Sequence, residues 1–173
     1  GLHPEKRLGA DIGCGSGCIA ITLVKKVMGL RMAATDISRG ALRGAANNVS
    51  LHRVPRKVWL AQADLLAPFG RAFDLICANL PYIPTHKLAD LRVAKHEPRL
   101  ALDGGADGLD LVRRLLAQAQ TRILPGGLLL LEIEAEQGQT ALEEGRAAFP
   151  QAEVSVLPDL AGHARLLRIE LKE

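Results

Sequence analysis

Aromatic side chains are scarce in this 173-residue chain: one Trp, one Tyr and three Phe, 3% of the sequence. A protein that reads or flips bases uses stacking rings on a basic surface. Here the formal net charge is only +3, from 22 basic and 19 acidic residues, so no direct nucleic-acid partner is expected. Cysteines number three, Cys14, Cys18 and Cys77. An odd count without paired metal-ligand spacing argues against a zinc site or any other metal, and the thiols read as small buried fillers. Long hydrophobic runs are missing too. The longest, Leu128 to Leu131, is closed by Gly127 and Glu132, far short of the roughly 20 residues a membrane span needs. No membrane partner is expected. With no signal peptide visible, a reducing cytoplasm is the expected compartment.

What is present is an ordinary globular composition, 48% hydrophobic and 24% charged, enough for one domain with a real core. Residues 6 to 12 predict a first strand, and 16 to 29 a helix with Ile19, Leu23, Val27 and Leu30 on one face. A second strand covers 31 to 36, and Ser38 caps a helix through about His52. Further strands are expected at Lys57–Gln62 and Phe73–Ala78, the latter a continuous buried run of the parallel-sheet kind. An irregular stretch from Asn79 to about Ala106 is long enough to be functional. A helix from Asp107 to about Thr121 follows, then a turn at Pro125-Gly126-Gly127, a strand Leu128–Ile133 and a helix over 136–149 stopped by Pro150. Two late strands, Glu153–Leu157 and Arg165–Leu171, have no helix between them and should pair antiparallel. This alternation predicts an α/β fold, a parallel sheet covered on both faces. Right-handed crossovers order its strands 3-2-1-4-5, with the last two at one edge. Neither an internal repeat nor a second domain is visible.

The stretch around which the chain is organised is Gly9-Ala10-Asp11-Ile12-Gly13-Cys14-Gly15-Ser16-Gly17-Cys18-Ile19-Ala20-Ile21. It reads as a buried strand end, a glycine turn and an apolar helix start. In an open α/β sheet this first turn is the usual small-molecule site. A dinucleotide fingerprint needs Gly-x-Gly-x-x-Gly, and its third glycine position is Cys18 here. The pattern is instead Gly-x-Gly-x-Gly led by Asp11. A carboxylate beside a pyrophosphate is repelled, whereas one beside a cationic ligand is attracted. S-adenosylmethionine, with its ammonium and sulfonium, suits such a turn. Asp36 follows Gly17 by 19 residues, where an acidic side chain bonds a ribose hydroxyl.

A second motif, Asn79-Leu80-Pro81-Tyr82, lies just past the fourth strand. In the inferred order this strand neighbours the first, so the two turns face each other. An amide nitrogen is a poor nucleophile because its lone pair is delocalised. Two acceptors that bond both N–H groups, the Asn79 side-chain oxygen and the Leu80 carbonyl, would hold such a nitrogen and favour its tetrahedral form. Pro81 fixes the turn, and Tyr82 offers a ring to the substrate and to a cationic donor.

Three stretches, Asp11 to Gly17, Asn79-Leu80-Pro81-Tyr82-Ile83 and Glu97 to Asp110, resemble the protein-glutamine N5-methyltransferases that modify peptide-chain release factors. Pro125-Gly126-Gly127, Glu132-Ile133 and Asp159-Leu160-Ala161-Gly162 agree with the resemblance, which covers nearly the whole chain. It implies a Rossmann-like class I S-adenosylmethionine-dependent methyltransferase fold, a mostly parallel seven-stranded sheet in the order 3-2-1-4-5-7-6. It also implies methylation of the glutamine in a Gly-Gly-Gln loop of a release factor. By resemblance Asp36 holds the ribose, Asp64 lies near the adenine, and Asn79 to Tyr82 hold the glutamine. The expected donor-binding set is Asp11, Gly13, Cys14, Gly15, Gly17, Asp36, Ile37, Asp64, Leu65 and Asn79. The catalytic set is Asn79, Leu80, Pro81 and Tyr82. Two departures stand out. The family's Asn-Pro-Pro-Tyr is Asn-Leu-Pro-Tyr here, which keeps the carbonyl at position 80 but loosens the turn. The family's helical N-terminal substrate-recognition domain is not among these residues, so 1–173 is expected to be the catalytic domain alone. The competing readings are adenine-N6 methylation of nucleic acid, which uses the same Asn-x-Pro-Tyr logic, and a donor-binding domain without turnover.

Other residues have bland readings. His86, His96 and His163 read as exposed loop histidines. Glu97 reads as a cap or a substrate contact, Glu132 and Glu134 as crevice or solvated strand-end groups. Arg113 and Arg114 read as a solvated helix face, Asp107 or Asp110 as groups that offset a helix N-terminus, and Trp59 as packing.

Overall fold

The computed structural model describes residues 7–70, 73–90 and 98–173. Its strands are β1 (Arg7–Ile12), β2 (Leu30–Asp36), β3 (Val58–Gln62), β4 (Phe73–Ala78), β5 (Ile123–Glu132), β6 (Glu153–Pro158) and β7 (Ala164–Glu170). They form one seven-stranded sheet in the order β3-β2-β1-β4-β5-β7-β6, the expected one. The pairs from β3 to β5 are parallel, while β7 runs antiparallel to both β5 and β6. The physical cause is connection length: a tight turn allows only antiparallel pairing, whereas each parallel neighbour needs a crossover.

The helices are α1 (Cys18–Lys26), α2 (Arg39–Leu51), α3 (Asp110–Ala119) and α4 (Gly138–Ala148). Two apolar clusters sandwich the sheet. One joins Met32, Ala34 and Val58 to Ala20, Ile21 and Val24 of α1 and Ala45 and Val49 of α2. The other joins Ala33, Ile76, Leu129 and Leu131 to Leu115 and Leu116 of α3 and Ala141 of α4. Met32 and Ala34 fall in one cluster and Ala33 in the other, as the two-residue period of a strand requires.

Several expected boundaries move. Helix α1 is shorter than 16–29, because Val27 turns extended (φ −105°, ψ 115°) and Gly29 is left-handed (φ +79°). Leu30 therefore opens β2, and the buried stripe of α1 is Ala20, Ile21 and Val24, not the face through Ile19 and Leu30. Ser38 does cap α2, accepting from the Ala41 N–H at 3.3 Å. The turn expected at Pro125-Gly126-Gly127 lies inside β5. Register jumps from Phe73↔Ile123 to Leu75↔Leu128, so the extra residues bulge out of the ladder. The Gly126 N–H donates to the Lys172 carbonyl at 3.0 Å, and the Gly127 carbonyl accepts from Leu171 at 2.9 Å. These bonds keep the segment in the sheet. Helix α3 starts at Asp110 rather than Asp107, because Gly108 is left-handed (φ +84°). A short 3-10 turn, Ala135–Gln137, precedes α4. The irregular stretch after β4 contains further 3-10 turns at Thr85–Asp90 and Arg99–Ala101.

Three side-chain readings also change. Cys14 and Cys77 are buried fillers, but Cys18 is exposed at the first position of α1. Trp59 is 45% exposed, with the Arg31 guanidinium 5.8 Å from its ring centroid. The arginines are not a free solvated face. Arg113 bonds Asp107 and Glu144, each at 2.6 Å, and Asp110 at 3.3 Å, while Arg114 pairs with Asp64 at 2.6 Å. His96 and Glu97 lie outside the described residues. No helix among the described residues is long and apolar enough to cross a membrane.

Candidate active site

Strands β1 and β4 are adjacent and parallel, with Ile12 opposite Ala78. The glycine turn and the Asn79–Tyr82 turn therefore leave the same edge of the sheet. They touch: a Cβ built on Gly13 would lie 2.9 Å from Leu80 Cδ2 and 3.8 Å from the Asn79 carbonyl oxygen. Gly13, Gly15 and Gly17 all have positive φ (68°, 54° and 78°), a conformation that costs other residues energy. A Cβ on Gly15 would meet nothing within 4 Å, so the turn opens onto free space.

Asp11, next to last in β1, is wholly buried. Its Oδ2 accepts from the Ala20 N–H in the first turn of α1 at 2.9 Å. Its Oδ1 has no hydrogen-bond partner. Burial pushes this carboxyl up to about 6, the Ala20 N–H opposes the rise and Asp36 adds to it. Asp36, at the end of β2, accepts from the Gly15 N–H at 2.9 Å and from the Ser38 N–H at 2.8 Å. It thus pins the middle of the glycine turn and the entry to α2. Ile37 is 51% exposed beside it. Burial pushes the thiols of Cys14 and Cys77 up to about 12, so both stay protonated and unreactive. Past β3, Leu65 is buried in a left-handed conformation (φ +53°), and its carbonyl accepts from Thr35 Oγ1 at 3.3 Å. Asp64 is half exposed and bound to Arg114.

On the β4 side, Asn79 is exposed, Leu80 buried, and Pro81 and Tyr82 half-buried. Leu80 thus contributes a buried side chain against the Gly13 backbone, a contact that its backbone-carbonyl reading did not anticipate. The Tyr82 hydroxyl is pushed up by burial and by Glu132, with Arg165 opposing and Glu134 adding to the rise. These charges lie at the ends of β5 and β7 and just past β5. Glu132 and Glu134 do belong to this edge, but Glu134 is also occupied, its carboxylate accepting from the Glu136 N–H at 2.7 Å.

A brace stands behind the turn. Ile83 pairs with Asp103 in a short parallel bridge, and a Cβ on Gly104 would lie 2.7 Å from the Pro81 carbonyl oxygen. The side-chain amide of buried Gln137 donates to the Tyr82 carbonyl at 2.9 Å. Gln137 and Arg165 were missed in the sequence. The only trace was Glu134-x-x-Gln137 just past a strand, a capping-box pattern that the structure forms. A cleft of about 560 Å³ adjoins the brace, between Ile83, Pro84, Leu109 and the start of α4. No cluster of potential metal ligands occurs among the described residues.

The Methyltransferase small domain family matches residues 2–96. The chain belongs to this family. Among curated relatives of this methyltransferase small domain, the release factor glutamine methyltransferase of Moorella thermoacetica is 47% identical over 90% of the chain and 56% of its own length. The ribosomal protein uL3 glutamine methyltransferase of Bradyrhizobium diazoefficiens is 42% identical over 82% of the chain and 43% of its own length. The chain thus spans about half the length of these relatives. Among solved structures, the ribosomal protein L11 methylase of Lactobacillus delbrueckii subsp. bulgaricus superposes with a TM-score of 0.71 at 22% identity, covering 98% of the chain and 72% of that protein. That likeness is one of fold.

Proposed function

We propose that residues 1–173 are the catalytic domain of a cytoplasmic enzyme that methylates the side-chain amide nitrogen (N5) of a glutamine in a protein, using S-adenosylmethionine. The favoured substrate is the Gly-Gly-Gln loop of a peptide-chain release factor, which the relatives' names support. The observation that carries this reading is the meeting of the glycine turn with the Asn79–Tyr82 turn at one sheet edge, with an unpartnered carboxylate oxygen beneath it.

The residues present fit the donor. A buried carboxylate oxygen without a partner is costly and favours a cation, which the donor's ammonium provides. Each Asp36 oxygen accepts one backbone N–H, and a carboxylate has about four acceptor sites, so room for ribose hydroxyls remains. Ile37, Leu65 and Asp64 suit the adenine, and Gly13 to Gly17 let the backbone approach closely. When bound, S-adenosylmethionine supplies a methyl group made electrophilic by its sulfonium.

The chain's own residues supply orientation. Asn79 is exposed at the end of β4, so its side-chain oxygen is free to accept one N–H of the glutamine amide. The Leu80 carbonyl accepts the other. Holding both N–H groups fixes the direction of the nitrogen and favours its tetrahedral form as the methyl arrives, an entropic and electrostatic gain. Pro81 holds the turn, and the Tyr82 ring walls off one side. The nitrogen gains a carbon and loses a proton, and that proton leaves after transfer, so no strong base is required.

The test is incubation of the chain with methyl-labelled donor and either release factor or DNA. Label should enter the release factor, and Asn79→Ala should abolish it while donor affinity stays within about threefold. Label in DNA alone, or near-normal turnover of Asn79→Ala, refutes the reading. The uL3-methylating relative favours a second reading, a glutamine of a ribosomal protein, and label in that protein but not in release factor would select it.

A further inference from the structure

Buried polar side chains among the described residues are Asp11, Thr35 and Gln137. The first two belong to the donor side. Gln137, 7% exposed, directs both amide N–H groups and its oxygen to partners around the substrate turn. Its Nε2 donates to the Tyr82 carbonyl at 2.9 Å and to the Asp107 carbonyl at 3.1 Å. Its Oε1 accepts from the Glu134 N–H at 3.0 Å. The amide can sit only this way round, since the flipped group would set an oxygen against two carbonyls. Gly108 leaves the space: a Cβ there would overlap both the Tyr82 carbonyl oxygen and Gln137 Nε2. One side chain therefore ties the end of β5 and the start of α4 to the turn after β4 and to the loop before α3.

We infer that Gln137 is a positioning residue for amide methylation, a strut that sets the direction of the Tyr82 carbonyl and through it the Asn79–Tyr82 turn. The inference rests on the glutamine-methylation reading for its consequence, though not for its geometry. Gln137 meets neither donor nor substrate. It acts by denying the turn other orientations, because swinging the Tyr82 carbonyl away would strand a buried N–H donor. A turn that holds an amide for transfer is sensitive to sub-ångström displacement.

Tyr82 is the single tyrosine of the chain, so 3-fluorotyrosine places one fluorine on the turn. Gln137→Met keeps length and bulk and removes all three bonds. In the folded variant the fluorine resonance should shift or split, and kcat toward the protein substrate should fall by about tenfold or more with donor Kd within about twofold. If the methionine variant does not fold, Gln137→Glu retains the acceptor for the Glu134 N–H, leaves at most one O–H donor for the two carbonyls, and is judged by the same readouts. A resonance superimposable on the wild type, or a moved resonance with kcat unchanged, overturns the inference. So does loss of fold in both variants, since Gln137 would then hold up the domain rather than the turn. If the wild type transfers no methyl to any glutamine substrate, the enzymatic reading fails by itself, and the fluorine line alone decides whether Gln137 sets the turn.

Discussion

Replacing Asp11 by Asn removes a buried carboxylate with an unpartnered oxygen, and its effects on stability and on binding should run in opposite directions. Asp11 is wholly buried, holds one N–H bond and leaves Oδ1 without a partner. Its carboxyl is raised from 3.8 to about 6, a shift of about 2 units, each worth about 1.4 kcal/mol. The sign follows from linkage. Between the two values the native state binds more protons than the unfolded chain, so stability falls as pH rises through that window. The penalty is absent below about pH 4 and complete above about pH 6, at about 3 kcal/mol. Asparagine removes the charge but offers Ala20 a neutral acceptor in place of an ionised one, forfeiting about 1 kcal/mol. The net gain for the ligand-free protein is about 2 kcal/mol near pH 7.5, or about 4 to 8 °C in Tm for a domain of this size. Thermal unfolding of both proteins between about pH 4 and pH 8 measures it. The gap should close at the acid end. Binding moves the other way: calorimetry near pH 7.5 should find the variant's affinity for S-adenosylmethionine reduced by about tenfold or more, for want of a counter-charge. A Tm at neutral pH equal to or below the wild type, or a gap that does not change with pH, refutes the account of Asp11.

Asp36→Ala should weaken donor binding by about 1 to 3 kcal/mol, the cost of leaving buried hydroxyls without a partner, and should increase amide exchange at Gly15 and Ser38, whose N–H groups it holds. Unchanged affinity by calorimetry would remove it from the ribose. Gly13→Ala forces a side chain to φ +68° and into the Leu80 methyl, which should lower stability by about 1 to 2 kcal/mol. A denaturant midpoint equal to the wild type would show that the turn relaxes freely.

Much of the architecture is set by patterns local in sequence. The apolar run Phe73–Ala78, the cap at Ser38 and the spacing of strands and helices specify elements. The handedness of crossovers then places β4 beside β1. That adjacency by itself brings Asn79 to Gly13, so the two-turn site was legible from residue types and order. The misjudged ends share one cause. Gly29, Gly108 and Gly126 take left-handed conformations, and a glycine in a sequence signals that such a conformation is permitted, not that it is used. Pro125-Gly126-Gly127 has the composition of a turn, yet the carbonyl of Lys172 and the N–H of Leu171 draw it into β5.

Partnership across the chain was decided by tertiary structure alone. Arg114 reaches Asp64 and Arg113 gathers Asp107, Asp110 and Glu144. Gln137 finds Tyr82 across 55 residues, and Asp11 Oδ1 finds nothing. A helical or strand period reports which face of an element is apolar, because that face is buried whatever lies opposite. It carries no record of which polar atom will stand there, since that depends on how separate elements dock. Residue types and order therefore determined the scaffold and the meeting of its two turns, and three-dimensional packing determined which groups hold the Asn79–Tyr82 turn in place.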